Sequence, residues 1–152
     1  MTPLTWTHLG FTGTRQGMTR AQAAAVTALL QACPPQTFHH SDALGAETEV
    51  HALVRQQCPA TQIMVHPPTR SAQRSFCVAD IWRPTLPYFL CQQAVVQASD
   101  VLLAVPQSAA EMRRSGCWQA VQYARAVGTP VVLVRATGQV VWPPTRQEVA
   151  HG

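Results

Sequence analysis

Apolar runs of strand length alternate along this chain with stretches in which apolar residues recur every three or four positions. The first run, about Thr7 to Thr12, stops at a Gly13-Thr14-Arg15 turn. After Gly17 a helical period begins, with Ala23, Val26, Ala28, Leu29 and Leu30 as its inward stripe. Thr19 is placed to cap this helix, Gln22 three residues on completes a capping box, and Pro34-Pro35 ends it. "TFHH" reads as a second short strand, and Ala46 to Gln57 as a second helix with Val50, Leu53 and Val54 inward. The third strand, "TQIMVHPP", closes on two prolines that cannot continue a central strand.

A long irregular segment, about Thr69 to Leu86, follows, and segments of this length inside a compact domain tend to be lids or binding loops. The third helix opens at Pro87, where proline suits the first turn, and ends before Asp100. "DVLLAVP" is the most apolar strand and reads as central. Ser115 can cap a fourth helix, Gly116 to Val127, which Gly128 and Pro130 terminate; "PVVLVR" is the last strand. Strands alternating with helices predict βαβ units on a parallel sheet. The expected fold is therefore α/β: a single Rossmann-like, doubly wound domain over residues 1–152, with a mainly parallel sheet of about five strands and helices on both faces. Right-handed crossovers favour the strand order 3-2-1-4-5, with a peripheral tail from about residue 138.

Composition narrows the function. The five cysteines are scattered and never form a C-x-x-C pair, which predicts reduced thiols in a cytoplasmic protein. The start of the chain lacks a basic region followed by a long apolar run, and no segment approaches a membrane span, so no membrane association is expected. All 11 positive residues are arginines, and the formal charge is only +4. They are dispersed apart from the Arg113-Arg114 pair and are not interleaved with aromatics, so no nucleic-acid surface is expected. Arginine does suit bidentate contact with a small anion.

In a doubly wound sheet, ligands bind outside the carboxyl ends of the strands where strand order reverses. Two turns would meet there, Gly13-Thr14-Arg15 and Ser115-Gly116-Cys117, each leading into a helix whose free N–H groups favour an anion. The glycine spacing G-x-x-G-x-x-x-G is neither a dinucleotide fingerprint nor a P-loop, so spacing alone leaves an anion cradle and a plain corner both open.

The segments "GFTGTRQGMT", "FHHSDALGAE", "HPP", "PY", "ASDVLLAVP" and "RRSGCWQAVQYARAVGTPVVLV", in that order over Thr7 to Arg135, resemble the SLOG superfamily of Rossmann-like nucleotide-binding proteins. The chain looks closest to short stand-alone bacterial members, and is more distantly similar to LOG-type phosphoribohydrolases and molybdenum-cofactor carriers. The resemblance implies a nucleotide-type ligand held by Gly13, Thr14 and Arg15 on one side and Ser115, Gly116 and Cys117 on the other, with His40 and Asp42 lining the same mouth. It also implies a homo-oligomer. The departures are Ser41 where relatives carry a glycine, Cys91-Gln92-Gln93 where they often carry Arg-Asn, and Cys117 where they carry threonine. The "PGGxGT" turn of the hydrolases and its following glutamate are absent, which weighs against glycosidic hydrolysis.

Several residues carry competing readings. Arg15 is either the main ligand cation or a loop arginine paired with Asp42 or Asp80. Asp42 either accepts from ribose hydroxyls or caps the second helix. Asp42 and Glu111 are the acid or base candidates of an N-glycoside hydrolase acting on a nucleotide. Arg74, Trp82, Arg83 and Tyr88 are lid candidates, with Trp82 and Tyr88 the stacking candidates, whereas Trp118 and Tyr123 read as core. His39, His40 and His66 with Asp42 have the types of a metal set, but neighbouring strand residues face opposite sides, and no metal is expected. Cys117 in a first helical turn should have a lowered pKa, yet no C-x5-R loop supports nucleophilic catalysis. The preferred expectation is a binder of a nucleotide-derived phosphate ligand, acting as a sensor or carrier. The alternatives are the hydrolase, a carrier of a molybdopterin-type cofactor, and a degenerate member that works through protein contacts.

Overall fold

A computed structural model describes residues 4–108 and 115–144. The described elements run β1 (His8–Gly13), α1 (Arg20–Ala32), β2 (Thr37–His40), α2 (Ala46–Gln57), β3 (Gln62–Val65), β4 (Ile81–Trp82), α3 (Tyr88–Gln97), β5 (Val101–Val105), α4 (Gly116–Val127), β6 (Val131–Val134) and β7 (Val140–Val141). They form one seven-stranded sheet in the order β4-β3-β2-β1-β5-β6-β7, parallel throughout except for the β6–β7 pair. The expected order 3-2-1-4-5 is its centre. The two additional strands, β4 and β7, are two-residue edges too short to show any periodicity in sequence. β7 also ties part of the supposedly peripheral tail to β6.

Alternation along the strands sorts the core into two layers. Leu9, Phe11, Phe38, Val101, Leu103 and Val105 pack with Val26, Leu30, Val50 and Val54 of α1 and α2. Leu102, Ala104 and Leu133 pack with Val95, Val96, Trp118, Val121 and Ala124 of α3 and α4. The α1 cap forms as expected, with both halves of the Thr19–Gln22 capping box made. Its buried stripe runs through Gln22, Val26, Leu29 and Leu30, while Ala28 is exposed. Gln22 earns its buried place by donating to the carbonyls of Pro106 and Val134, which locks α1 onto the ends of β5 and β6. The α4 helix stops as anticipated at Gly128, in the left-handed conformation with φ 84°.

His39 and His40 face opposite sides of the sheet. His39 sits in a row with His8 and His66, its ring nitrogens 3.0 Å from His8 Nδ1 and 3.0 Å from His66 Nε2. Burial, then the neighbouring imidazoles His66 and His8, push the His39 pKa down to about 3; burial, then Arg83, take His66 to about 4. Both are therefore neutral packing residues near neutral pH.

Candidate functional site

Where β1 and β5 diverge, a cavity of about 410 Å³ opens between the Gly13–Gln16 turn and the first turn of α4, with Tyr88, Gln107 and Ser108 completing its wall. The turn is held from two directions. Thr14 N donates to Val105 O at 3.0 Å, and Ala46 N donates to Thr14 O at 2.9 Å. Gly45, φ 86°, permits the second contact, because a side chain there would run into the backbone oxygen of Arg15. The sequence thus places a rigid turn, not a floppy loop, at the carboxyl edge of the sheet beside the cavity.

Arg15 projects from this turn with its guanidinium carbon 5.0 Å from the centre of the Tyr88 ring, a cation–π arrangement. Among the described residues it pairs with no carboxylate, so the alternative pairing with Asp42 or Asp80 is not made; those acids hold Arg74 and Arg55 instead. Across the cavity, Ser115 accepts from Trp118 N at 3.5 Å as the cap of α4. The other N–H groups of that first turn lie beyond the reach of intrahelical bonding, at the positive end of the helix dipole. Gly116 is a steric requirement here, since an added Cβ would lie 2.5 Å from the Tyr88 hydroxyl.

Cys117 lines the cavity but is buried, and burial pushes its pKa up to about 12, against smaller opposing effects of the Thr12 side chain and Val105 backbone. The expected thiolate is therefore overturned: loss of solvation outweighs the helix terminus. Trp118 is likewise buried, as expected of a core residue, with one edge on the cavity.

His40 and Asp42 do not line this mouth. Both are fully buried at the end of β2, one strand away. The Asp42 carboxylate takes Arg74 Nε and Phe76 N on one oxygen, and Ser75 Oγ and Cys77 N on the other. Burial raises its pKa, but the bonds from Cys77, Arg74 and Ser75 together prevail and hold it below the ordinary carboxylate range. A carboxylate with four donors has no room for a ribose hydroxyl, and it does not cap α2, whose N-cap is Gly45. It pins the 69–86 segment instead. Asp42, φ 60°, and Phe76, φ 56°, are both left-handed residues that this clamp over-determines, and Arg74 lies 4.4 Å over the Phe76 ring.

The lid reading changes accordingly. Arg74 is bound to Asp42, Trp82 belongs to β4, and Arg83 N is bonded to Val65 O, so these three are fastened to the sheet edge away from the cavity. Tyr88 alone of the four reaches it. Glu111 lies outside the described residues.

Sequence reasoning missed Glu47. It is 2% exposed, accepts from Ser41 Oγ and Ala43 N, and burial pushes its pKa up to about 7 against those bonds. Gln92 donates to Ser41 Oγ at 2.9 Å and accepts from Thr12 Oγ1 at 3.2 Å. Two departures from the SLOG pattern, Ser41 and Gln92, are therefore in direct contact. An acid in the first turn of a helix looks like ordinary dipole compensation, so only the neighbouring apolar positions hinted at burial.

His40, His51 and Cys77 bring one potential ligand atom each within 4.8 Å of one another. Asp42 N–H donates to His40 Nδ1, so the proton of that imidazole sits on Nε2 and points to His51 Nδ1 at 3.0 Å. The Nδ1 lone pairs of both histidines are therefore already engaged.

No protein-family model matches the chain, and no curated protein matches it. Solved structures do share its fold. One is a molybdenum cofactor binding protein from the phototrophic bacterium Rippkaea orientalis, 15% identical, with a TM-score of 0.65 over 95% of this chain and 93% of the other. Another is TM1055, a structural-genomics target, 15% identical, with a TM-score of 0.62 over 86% of this chain and 75% of that one. At this identity the likeness establishes a Rossmann-like α/β fold. Among the described residues no helix is long and apolar enough to cross a membrane.

Proposed function

We propose that the protein binds a nucleotide or nucleotide-derived phosphate ligand at the β1–β5 switch point, and acts as a sensor or carrier. The observation that carries this reading is the cavity itself: two anchored turns face each other, and Arg15, unpaired with any described carboxylate, is held over Tyr88 between them. The likeness to the SLOG superfamily, with its expected homo-oligomer, belongs to the same reading. Of the two acid candidates for a hydrolase, Asp42 is saturated and lies off the cavity lining, which weighs against it as the acid or base.

A second reading is favoured by the Rippkaea orientalis neighbour, which matches nearly end to end. A molybdopterin-type cofactor also combines a phosphate with a planar ring system, and the same cradle fits both parts: the α4 terminus and Arg15 for the anion, Tyr88 for the ring. Here that cofactor would be cargo.

The test is a thermal-shift screen of nucleoside phosphates and a phosphorylated pterin on wild type and Arg15→Ala. A ligand at 100 times its dissociation constant should add about 2.7 kcal/mol, several degrees for a domain of this size. Arg15→Ala should abolish the shift at the same concentration. Release of free base from the bound nucleotide would establish an enzyme and overturn the carrier reading; intrinsic pterin fluorescence in the purified protein would select the second.

A further inference from the structure

Tyr88 is shared by two cavities. Besides the 410 Å³ cavity at Arg15, it closes a second, of about 460 Å³, together with Thr69, Arg70, Gln73 and Pro87. This second cavity is built by fixed parts. Thr69 N donates to Leu86 O and Leu86 N to Pro67 O, which fastens the neck of the 69–86 segment beside the start of α3. The 3-10 turn Ser71–Gln73 shapes the far wall, and Arg74, immediately after it, is clamped to Asp42.

Arg55 and Arg74 are spent on structural ion pairs, whereas neither Arg15 nor Arg70 has a carboxylate partner among the described residues. These two each line a cavity that Tyr88 also lines. Each cavity alone is near the lower end of the roughly 300–1,000 Å³ typical of small-molecule sites. Joined across one side chain, they offer room for a longer molecule with two polar heads.

We infer that Tyr88 divides one elongated site into two subsites, the second of which, formed by Thr69, Arg70, Gln73 and Pro87, receives a sugar- and base-bearing group joined to the ligand's first phosphate through a second phosphate. The ligand class is then a nucleotide conjugate and not a bare mononucleotide. Thr69 and Gln73 supply hydrogen bonds to hydroxyls or ring edges, Pro87 and Tyr88 supply apolar faces, and Arg70 supplies the charge for a distal anion. This rests on the reading that the first cavity takes a nucleotide phosphate.

The experiment is calorimetric titration of adenosine monophosphate and of NAD into wild type, Arg15→Ala and Arg70→Ala. Arg70 is exposed, so its replacement leaves the fold intact. The dinucleotide should bind wild type at least tenfold more tightly than the monophosphate. Arg70→Ala should erase that advantage while leaving the monophosphate unchanged, and Arg15→Ala should weaken both. Equal binding of the two probes, unaltered by Arg70→Ala, overturns the second subsite and leaves the first standing. Binding of neither probe to wild type overturns the nucleotide reading and the subsite with it.

Discussion

Two neighbouring regions at the carboxyl edge of the same sheet use polar residues in opposite ways. At the end of β2, Asp42, Glu47, His40, His51, Ser41 and Arg74 satisfy one another, and no buried side-chain nitrogen or oxygen among the described residues is left without a partner. At the end of β1, the turn is equally well anchored, yet among the described residues its arginine and the facing helix terminus have no anionic partner. Chemical richness therefore does not locate a site; unspent bonding capacity beside a cavity does. The acid- and histidine-rich region holds the molecule together, and the plainer one is where we propose that the ligand sits.

The largest effect that sharpens this contrast is acid sensitivity. His39, His40 and His66 have folded pKa values of about 3, 3 and 4, below their ordinary 6.5, mainly because of burial. As pH falls below 6.5 the unfolded chain takes up protons that the folded one refuses. Each histidine thus removes about 2 kcal/mol of stability by pH 5. Glu47 acts oppositely, because its pKa is raised to about 7 from 4.5: the folded state binds its proton first, and stability from it grows as pH falls through that interval. Denaturant unfolding should show a net loss of roughly 4 kcal/mol from pH 7 to 5, and Glu47→Gln should steepen the decline. A flat profile would mean that these histidines and Glu47 are solvated.

Next in size, Asp42→Ala leaves Arg74 and the Phe76 and Cys77 amides without their acceptor and should cost about 3 kcal/mol in chemical denaturation. The remaining folded protein should bind ligand as wild type does, because the change lies in the other region; an equal loss of affinity would erase the distinction between them. Gly116→Ala should do the reverse. Its methyl group must displace the Tyr88 hydroxyl, costing about 1 kcal/mol of stability while weakening ligand binding well beyond that share. Smallest of all, Cys117 should stay unmodified by iodoacetamide in the native protein at mildly alkaline pH, as measured by mass spectrometry, since burial keeps it a thiol.

The sequence readily exposed whatever is decided locally. The Thr19–Gln22 box, Pro87, Gly128 and the central strand order are all consequences of short-range signals and right-handed crossovers. The two turns at the switch point were readable for the same reason, and the structure brings both to one cavity. The fate of Asp42 was not readable, because its partners lie 32 to 35 residues away in a segment without periodicity. Cys117 was misread because a helix terminus is visible in sequence while the depth of the layer above it is not. Tyr88 was placed in a lid, although the first turn of α3 carries it directly to Arg15.

The Gly13–Arg15 turn is held by Val105 and Ala46, residues from distant parts of the chain. Such a turn has no independent existence: it cannot form until β5 has paired with β1 and α2 has docked. The turn is therefore completed only once those long-range contacts exist, and its opening is coupled to theirs. Its amides at Thr14 and Ala46 should exchange with deuterium at the rate of global opening, even though they stand at the rim of an open cavity.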